Sequence, residues 1–280
     1  MKHLLTATLT STFLLVGSAS ASALVLYDGT LNSTPDAQSW GRPSPSGSQS
    51  LNGGGTLLNT TADFSIRDGY SRTDTSLNRS TGFNIRFDLQ LLNEFRNSSA
   101  SNNTGTDSID DRAGLSIIVL SSDTRGIELG FWTNRIWAQE DGVVKADPVT
   151  RSSPPTSPTG TRFSQAEGAT FDTQSSLNQY DLTILGNTYA LYANGNYSLP
   201  LLTGRLRDYS PEFAAFGVAG VPYVTPNLVF IGDNTTSASG SFQLNQVAYS
   251  STPIPFAFNP LFGFGVFGLS RLRKAIAKKK

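Results

Sequence analysis

The sequence predicts an all-β fold, an antiparallel β-sandwich set between two terminal segments of different character. Three observations carry that prediction. Apolar and polar residues alternate with a period of two in several stretches. Gly, Asn and Asp recur between those stretches at short intervals, as turns require. No segment of helical length carries an apolar face at helical spacing. The composition agrees, with 26 Gly, 17 Phe and 9 Tyr in 280 residues. Many short strands joined by turns close most simply as two packed sheets.

The elements follow in order. A first strand runs from Ala23 to Tyr27 and closes at Asp28-Gly29. Gly41 to Gly55 is rich in Ser, Pro and Gly and reads as a loop, and Thr56 to Thr61 as a short strand. Phe83, Ile85, Phe87, Leu89 and Leu91 alternate with Asn84, Arg86, Asp88 and Gln90, which is the clearest strand in the chain. Asn97 to Asp111 is polar and reads as a loop. Leu115 to Leu120 is a continuous apolar run, the pattern of a central strand. Gly126 to Phe131 alternates again, Thr133-Asn134 is a tight turn, and Arg135 to Gln139 returns.

Lys145 to Arg162 contains Ser152-Ser153-Pro154-Pro155-Thr156-Ser157-Pro158, a solvated low-complexity excursion. It does not divide the chain. The strands on its two sides need each other to close a core, and lengthening a loop costs little entropy. Tyr180 to Ile184, Gly186-Asn187, Tyr189 to Leu191 and Asn194-Gly195 spell a meander of three short strands. Leu228 to Ile231 is a buried strand ending at Gly232-Asp233-Asn234. Phe242 and Leu244 alternate, then Val247 and Tyr249 continue out of phase, so a bulge belongs between Asn245 and Val247.

Several of these stretches resemble a known family. Tyr180-Asp181-Leu182-Thr183-Ile184 followed by Asn187 to Gly195 is similar to the central hairpin of concanavalin A-like/LamG jelly rolls. Phe230-Ile231-Gly232-Asp233 is similar to their late strand. Together with Gly126 to Trp132, the set resembles bacterial choice-of-anchor domains of the Y type, over roughly Leu24 to Ser250. The resemblance implies a jelly roll on an exported protein attached by a variable tail, and no defined activity, since function lives in sites rather than folds.

The two ends carry addressing signals. Lys2 and His3, an apolar run from Leu4 to Gly17, and the small-residue sites Ala19-Ser20-Ala21 and Ala21-Ser22-Ala23 make a secretory signal peptide over residues 1–23. Signal peptidase cleavage falls after Ala21 or Ala23; an uncleaved anchor is the alternative. Residues 253–280 hold Pro253, Pro255 and Phe256, an apolar Gly/Phe segment, and a basic end with Arg271, Arg273, Lys274 and Lys278 to Lys280. As a helix, Phe256 to Leu269 would span roughly 21 Å, short of a bilayer core of about 30 Å. That suits a transient hold in the inner membrane, with the cations kept on the cytoplasmic side. An ordinary C-terminal transmembrane helix is the alternative. The layout resembles PEP-CTERM-type sorting signals, nearest the variant that opens with Pro-Phe-Glu, although position 257 is Ala. It implies processing by an exosortase-like enzyme.

Composition excludes several chemistries from residues 24–252. Lys2 and the six basic tail residues lie in the signals and no acid does, leaving 14 basic against 21 acidic residues. An acidic domain is a poor partner for nucleic acid, which needs clustered cations. The single His is His3 and there is no Cys, so Ser-His-Asp, Cys-His and zinc sites are out of reach. Oxygen donors remain, and they suit calcium. Asp107, Asp110 and Asp111 in one loop, and Asp233 at a strand end, are the metal candidates; solvated loop acids are the plainer reading.

The ligand candidate is Glu128, Trp132, Trp137 and Glu167. Glu128 and Trp132 share the polar phase of one strand, so burial of Ile127, Leu129 and Phe131 turns both away from the core. An aromatic platform beside carboxylates is a means of holding a sugar. Cross-strand packing of the two Trp, with Glu128 partnering Arg135, is the plainer alternative. The leading expectation is a non-catalytic surface or matrix module that binds glycan or builds the envelope. The other is a glycoside hydrolase using Glu128 and Glu167, which needs the two carboxyls about 5 Å apart for retention. Glycosidases of the concanavalin A-like fold commonly place acids at i, i+2 and i+5 of one strand. Here Gly130 and Thr133 stand at the second and third positions.

Overall fold

The structure is a computed structural model that describes residues 23–96, 112–140, 165–209 and 222–251. The first 22 residues, the tail from 252, the acidic loop with Asp107, Asp110 and Asp111, and the whole of the Pro-rich excursion lie outside them. Within the described residues the chain is all β apart from two short 3-10 turns, Gly29–Leu31 and Pro35–Gln38. No helix there is long and apolar enough to cross a membrane.

Fourteen strands follow one another: β1 (Leu24–Asp28), β2 (Ser48–Asn52), β3 (Gly55–Asn59), β4 (Asp68–Arg72), β5 (Phe83–Arg96), β6 (Ser116–Leu120), β7 (Gly126–Trp132), β8 (Arg135–Gln139), β9 (Gln165–Thr170), β10 (Asn178–Leu185), β11 (Thr188–Ala193), β12 (Leu202–Arg205), β13 (Val229–Asp233) and β14 (Ala238–Ser250). They form two antiparallel sheets. The larger has the order β12-β11-β10-β5-β14-β3-β2, with β1 also on β14; the smaller is β4-β13-β6-β7-β8-β9. Facing sheets with crossover connections are the jelly-roll arrangement.

The alternating stretches make the core, as their period requires. Phe83, Ile85, Phe87, Leu89 and Leu91 of β5 point at Ile117, Val119, Ile127, Leu129 and Phe131 of β6 and β7. An aromatic knot joins the layers: the Phe87 and Tyr180 rings stack at 5.3 Å, and Phe131 meets Tyr180 edge-on at 5.5 Å. β5 and β10 pair directly, so both sides of the Pro-rich excursion belong to one core.

Three strands depart from the sequence reading. β2 lies inside the stretch read as a loop, and β4 and β9 were not foreseen. All three are terminal strands of their sheets. The β14 bulge is present, where the register against β5 shifts between Leu244 and Gln246. Gly186, at φ +60°, opens the two-residue turn from β10 to β11, the position at which such a hairpin demands a left-handed residue.

Candidate functional site

β7 orients its side chains as the alternation requires. Ile127, Leu129 and Phe131 enter the main core, leaving Glu128, Gly130 and Trp132 on the outer face of the six-stranded sheet. β8 registers Trp137 opposite Gly130 and lays its indole across it. A Cβ at Gly130 would lie 2.4 Å from Trp137 Cζ2, so the glycine makes room for the ring. The Trp132 and Trp137 ring centroids are 4.4 Å apart, inclined at 55°. The expected aromatic pair therefore exists, with both rings on one face.

That face is covered, which corrects the expectation of a solvent-facing platform. Trp132 is 4% exposed and Trp137 is fully buried. Trp132 Nε1 donates to the Arg112 carbonyl at 2.8 Å, and the Arg96 guanidinium stands 4.2 Å from its ring. Beside them Ile118, Leu120, Tyr209, Tyr223, Leu228 and Phe230 form a second apolar cluster. Glu128 is 1% exposed beneath it. Its carboxylate accepts from the Tyr223 hydroxyl at 2.5 Å and from Asn234 Nδ2 at 3.1 Å. Burial, and then the neighbouring carboxylate, hold the Tyr223 phenol far above its ordinary pKa, so it remains a neutral donor. Arg135 does not partner Glu128; its Nε donates to Gln165.

Tyr209 stitches the same region. Its hydroxyl accepts from the Glu128 backbone N–H at 3.0 Å and donates to the Gln139 carbonyl at 2.9 Å. It spans β7 and β8 just beyond the last regular pair, Leu129 with Ala138. Both backbone groups are thereby satisfied in a place where water is excluded.

Glu167 lies elsewhere. From β9 it points between the sheets, accepting from the hydroxyl of the core residue Tyr189 at 2.7 Å and from Arg207 Nη2 at 2.7 Å. Arg207 also reaches Glu140 at 3.1 Å. Burial alone would raise the Glu167 pKa, but Arg207 and Tyr189 outweigh it and hold the carboxyl below its ordinary value. The structure does not bring Glu128 and Glu167 together: one faces outward and the other inward across the six-stranded sheet. A depressed carboxyl tied to a guanidinium is also a poor general acid.

Asp233 turns inward. It is 1% exposed, accepts from Thr60 Oγ1 at 2.6 Å and from the Thr235 N–H at 3.0 Å, and burial pushes its pKa up to about 7. Among the described residues no group of three His, Cys, Asp or Glu side chains could hold a metal ion.

The outer face of the eight-stranded sheet is built differently. Arg86 of β5 registers against Asp181 of β10. Arg86 Nε donates to Asp181 Oδ1 at 3.0 Å and Nη2 to Oδ2 at 3.3 Å. Around Asp181 stand three further donors: Asn84 Nδ2 at 2.9 Å, Gln179 Nε2 at 2.8 Å and the Tyr197 hydroxyl at 3.0 Å. The Tyr197 hydroxyl in turn accepts from Arg86 Nη2 at 2.9 Å, and its ring packs edge-on against Tyr192 at 5.8 Å. Asp181 is buried while the Arg86 side chain is 38% exposed. Two residues along β5, Asp88 keeps one oxygen buried without a protein partner, and burial raises its pKa. The result is a pre-oriented guanidinium, a tyrosine ring and a carboxylate at one partly open surface. Arg86, Asp88 and Asp181 sit on the polar phase of alternating strands and Tyr197 in the connection after β11, but pairing a residue of β5 with one of β10 required the fold.

No family model matches this sequence, and no curated protein matches it. Among solved structures, the chain is similar to the carbohydrate esterase vb_24B_21 from Shiga toxin-encoding bacteriophage phi24B, with a TM-score of 0.49 and 11% identity, over 82% of this chain and 100% of that one. A protein of unknown function with a galectin-like fold from Bacillus subtilis gives 0.47 and 11%, over 83% and 98%. The carbohydrate recognition domain of Emp46p gives 0.43 and 11%, over 82% and 97%. Likeness at this level places neither a ligand nor an activity on this chain.

Proposed function

We propose that this protein is an exported, surface- or matrix-associated β-sandwich module without catalytic activity, which binds glycan on the outer face of its eight-stranded sheet. The observation that carries the reading is the Arg86–Asp181–Tyr197 network. Sugars are held by apolar contact with aromatic rings and by planar polar groups fixed in advance. Here Asp181 is buried and fully engaged, and it locks Arg86 and Tyr197 at a surface that solvent reaches. The opposite placement of Glu128 and Glu167 supports the non-catalytic half. The signal peptide, with cleavage after Ala21 or Ala23, and the tail from Pro253 support export and exosortase-like processing.

A glycan array probed with the full chain tests the binding. Retained glycans should be lost with Arg86→Ala and Tyr197→Ala, and kept with Glu167→Gln. Binding that survives both losses overturns the placement; no retained glycan overturns the binding. Reducing-sugar release by the full chain would overturn the non-catalytic reading. Intact mass of the protein recovered from its native cells tests processing: a mass that retains Met1 or Lys278 to Lys280 excludes cleavage at that end.

A further inference from the structure

We infer that a second ligand site lies at the β2 edge, a pocket that takes one neutral pyranose ring. It stands independently of the Arg86 surface. The pocket is an open surface depression of about 300 Å³, lined by Ser46, Ser48, Asn59, Thr61, Ala62 and Ile66 together with the backbone of Gly47. That is the lower end of the range for small-molecule sites, room for a single ring rather than a chain.

The sequence builds it from two directions. Ser48 begins β2 opposite Asn59, the last residue of β3. The loop between β3 and β4 then brings Thr61, Ala62 and Ile66 round the open side. Gly47 is clamped from behind. Its N–H donates to Asp68 Oδ2 at 2.8 Å and its carbonyl accepts from Arg42 Nη2 at 3.1 Å. Arg42 Nε closes the frame on Asp68 Oδ1 at 2.9 Å, and Asp68 is itself 1% exposed. A Cβ at position 47 would lie 2.7 Å from the Asn59 carbonyl oxygen and 2.9 Å from Asp68 Oδ2, so only glycine permits this wall. The wall is set before any ligand arrives, which lowers the cost of binding.

The lining selects the ligand. Asn59 Oδ1 accepts from the Thr61 N–H at 2.9 Å and from its hydroxyl at 2.8 Å. Those bonds fix the carboxamide and leave its NH₂ with no hydrogen bond among the described residues. The Ser46 and Ser48 hydroxyls offer donors and acceptors alike. Ala62 and Ile66 supply a small apolar wall for a ring's C–H face. No charged side chain lines the pocket, and Arg42 and Asp68 pair with each other behind it. Hydroxyls, one carboxamide and an aliphatic patch fit a neutral polyhydroxylated ring and give a carboxylate or phosphate no cation.

Saturation-transfer NMR on the full chain decides the matter. The probes are the methyl pyranosides of glucose, galactose, mannose and N-acetylglucosamine, with methyl glucuronide as the anionic control. At least one neutral probe should bind. Asn59→Ala should weaken it at least tenfold, and Ala62→Phe, which fills the cavity, should abolish it. Arg86→Ala should leave it unchanged. No bound neutral probe, an equal affinity for the glucuronide, or unchanged affinity in either pocket variant overturns the inference. Loss of the signal in Arg86→Ala overturns it too, because the ring would then sit on the other surface. Should Ala62→Phe fail to fold by circular dichroism, Asn59→Ala alone decides.

Discussion

The two sheets carry their outward-facing polar residues in opposite ways. On the six-stranded sheet, Glu128 and Trp132 sit beneath a second layer of side chains, and the carboxylate is spent on Tyr223 and Asn234. On the eight-stranded sheet, Arg86 and Tyr197 stay within reach of solvent, and only their anchor Asp181 is sealed. Both faces present alternating strands with acids and aromatics on the polar phase. What separates them is whether another part of the chain lies across them. An outward phase is thus a statement about direction, and exposure is a separate matter.

Trp137→Ala should break the covered face outright. The ring is fully buried against Gly130 and Trp132, and truncation of such a residue costs about 3–5 kcal/mol. Urea denaturation measures it. Trp132→Ala, which a platform reading expects to leave the fold intact, should fall in the same class.

A pH series separates the buried acid from the exposed ones. The folded-state pKa of Asp233 is about 7, above its ordinary value of 3.8, so the native state holds the proton more tightly than the unfolded chain. Its contribution is fully present below about pH 4, declines as the pH rises and is gone above about pH 7. Asp233→Asn should flatten that part of the profile and melt higher than the parent at pH 8. An unchanged slope in the variant would refute the assignment.

Tyr223→Phe removes one hydroxyl from the covered cluster and leaves the Glu128 carboxylate a donor short. The expected loss is about 1–3 kcal/mol, since an unsatisfied buried acceptor bears its full desolvation cost. The matching deletion on the open face, Tyr197→Phe, should cost about 0.5–1.5 kcal/mol at most, because Asp181 keeps its other donors and water can approach. Equal losses in the two variants would mean that the faces are not as different as their burial indicates.

Much of this fold was legible. The alternation of Phe83 to Leu91 and of Ile127 to Phe131 specified strands, their inner faces and the phase of Glu128. The strands that escaped notice are all at sheet edges. β2, β4 and β9 have one neighbour each and little apolar surface to bury, so their conformation comes from the partner rather than from their own pattern. β2 still had one signal, since Gly53-Gly54, both at positive φ, form its two-residue turn to β3. The site was harder for a related reason. Glu128 is covered by Tyr223, 95 residues away in sequence, and Arg86 is matched by Asp181 at the same separation. Neither partnership leaves a local trace.

The long strand β14 has a consequence for how the chain reaches its native state. Along one side it pairs with β5 over nearly its whole length, and along the other with β3 and then β1. β1 has no other partner among the described strands, and β3 has only β2. Until Ala238 to Ser250 leaves the ribosome, the larger sheet is three unjoined pieces with open edges: β12-β11-β10-β5, the β2-β3 pair and β1 alone. Contacts this distant in sequence form slowly. The larger sheet therefore cannot close until its last strand has been made, and its assembly depends on contacts between the two ends of the chain.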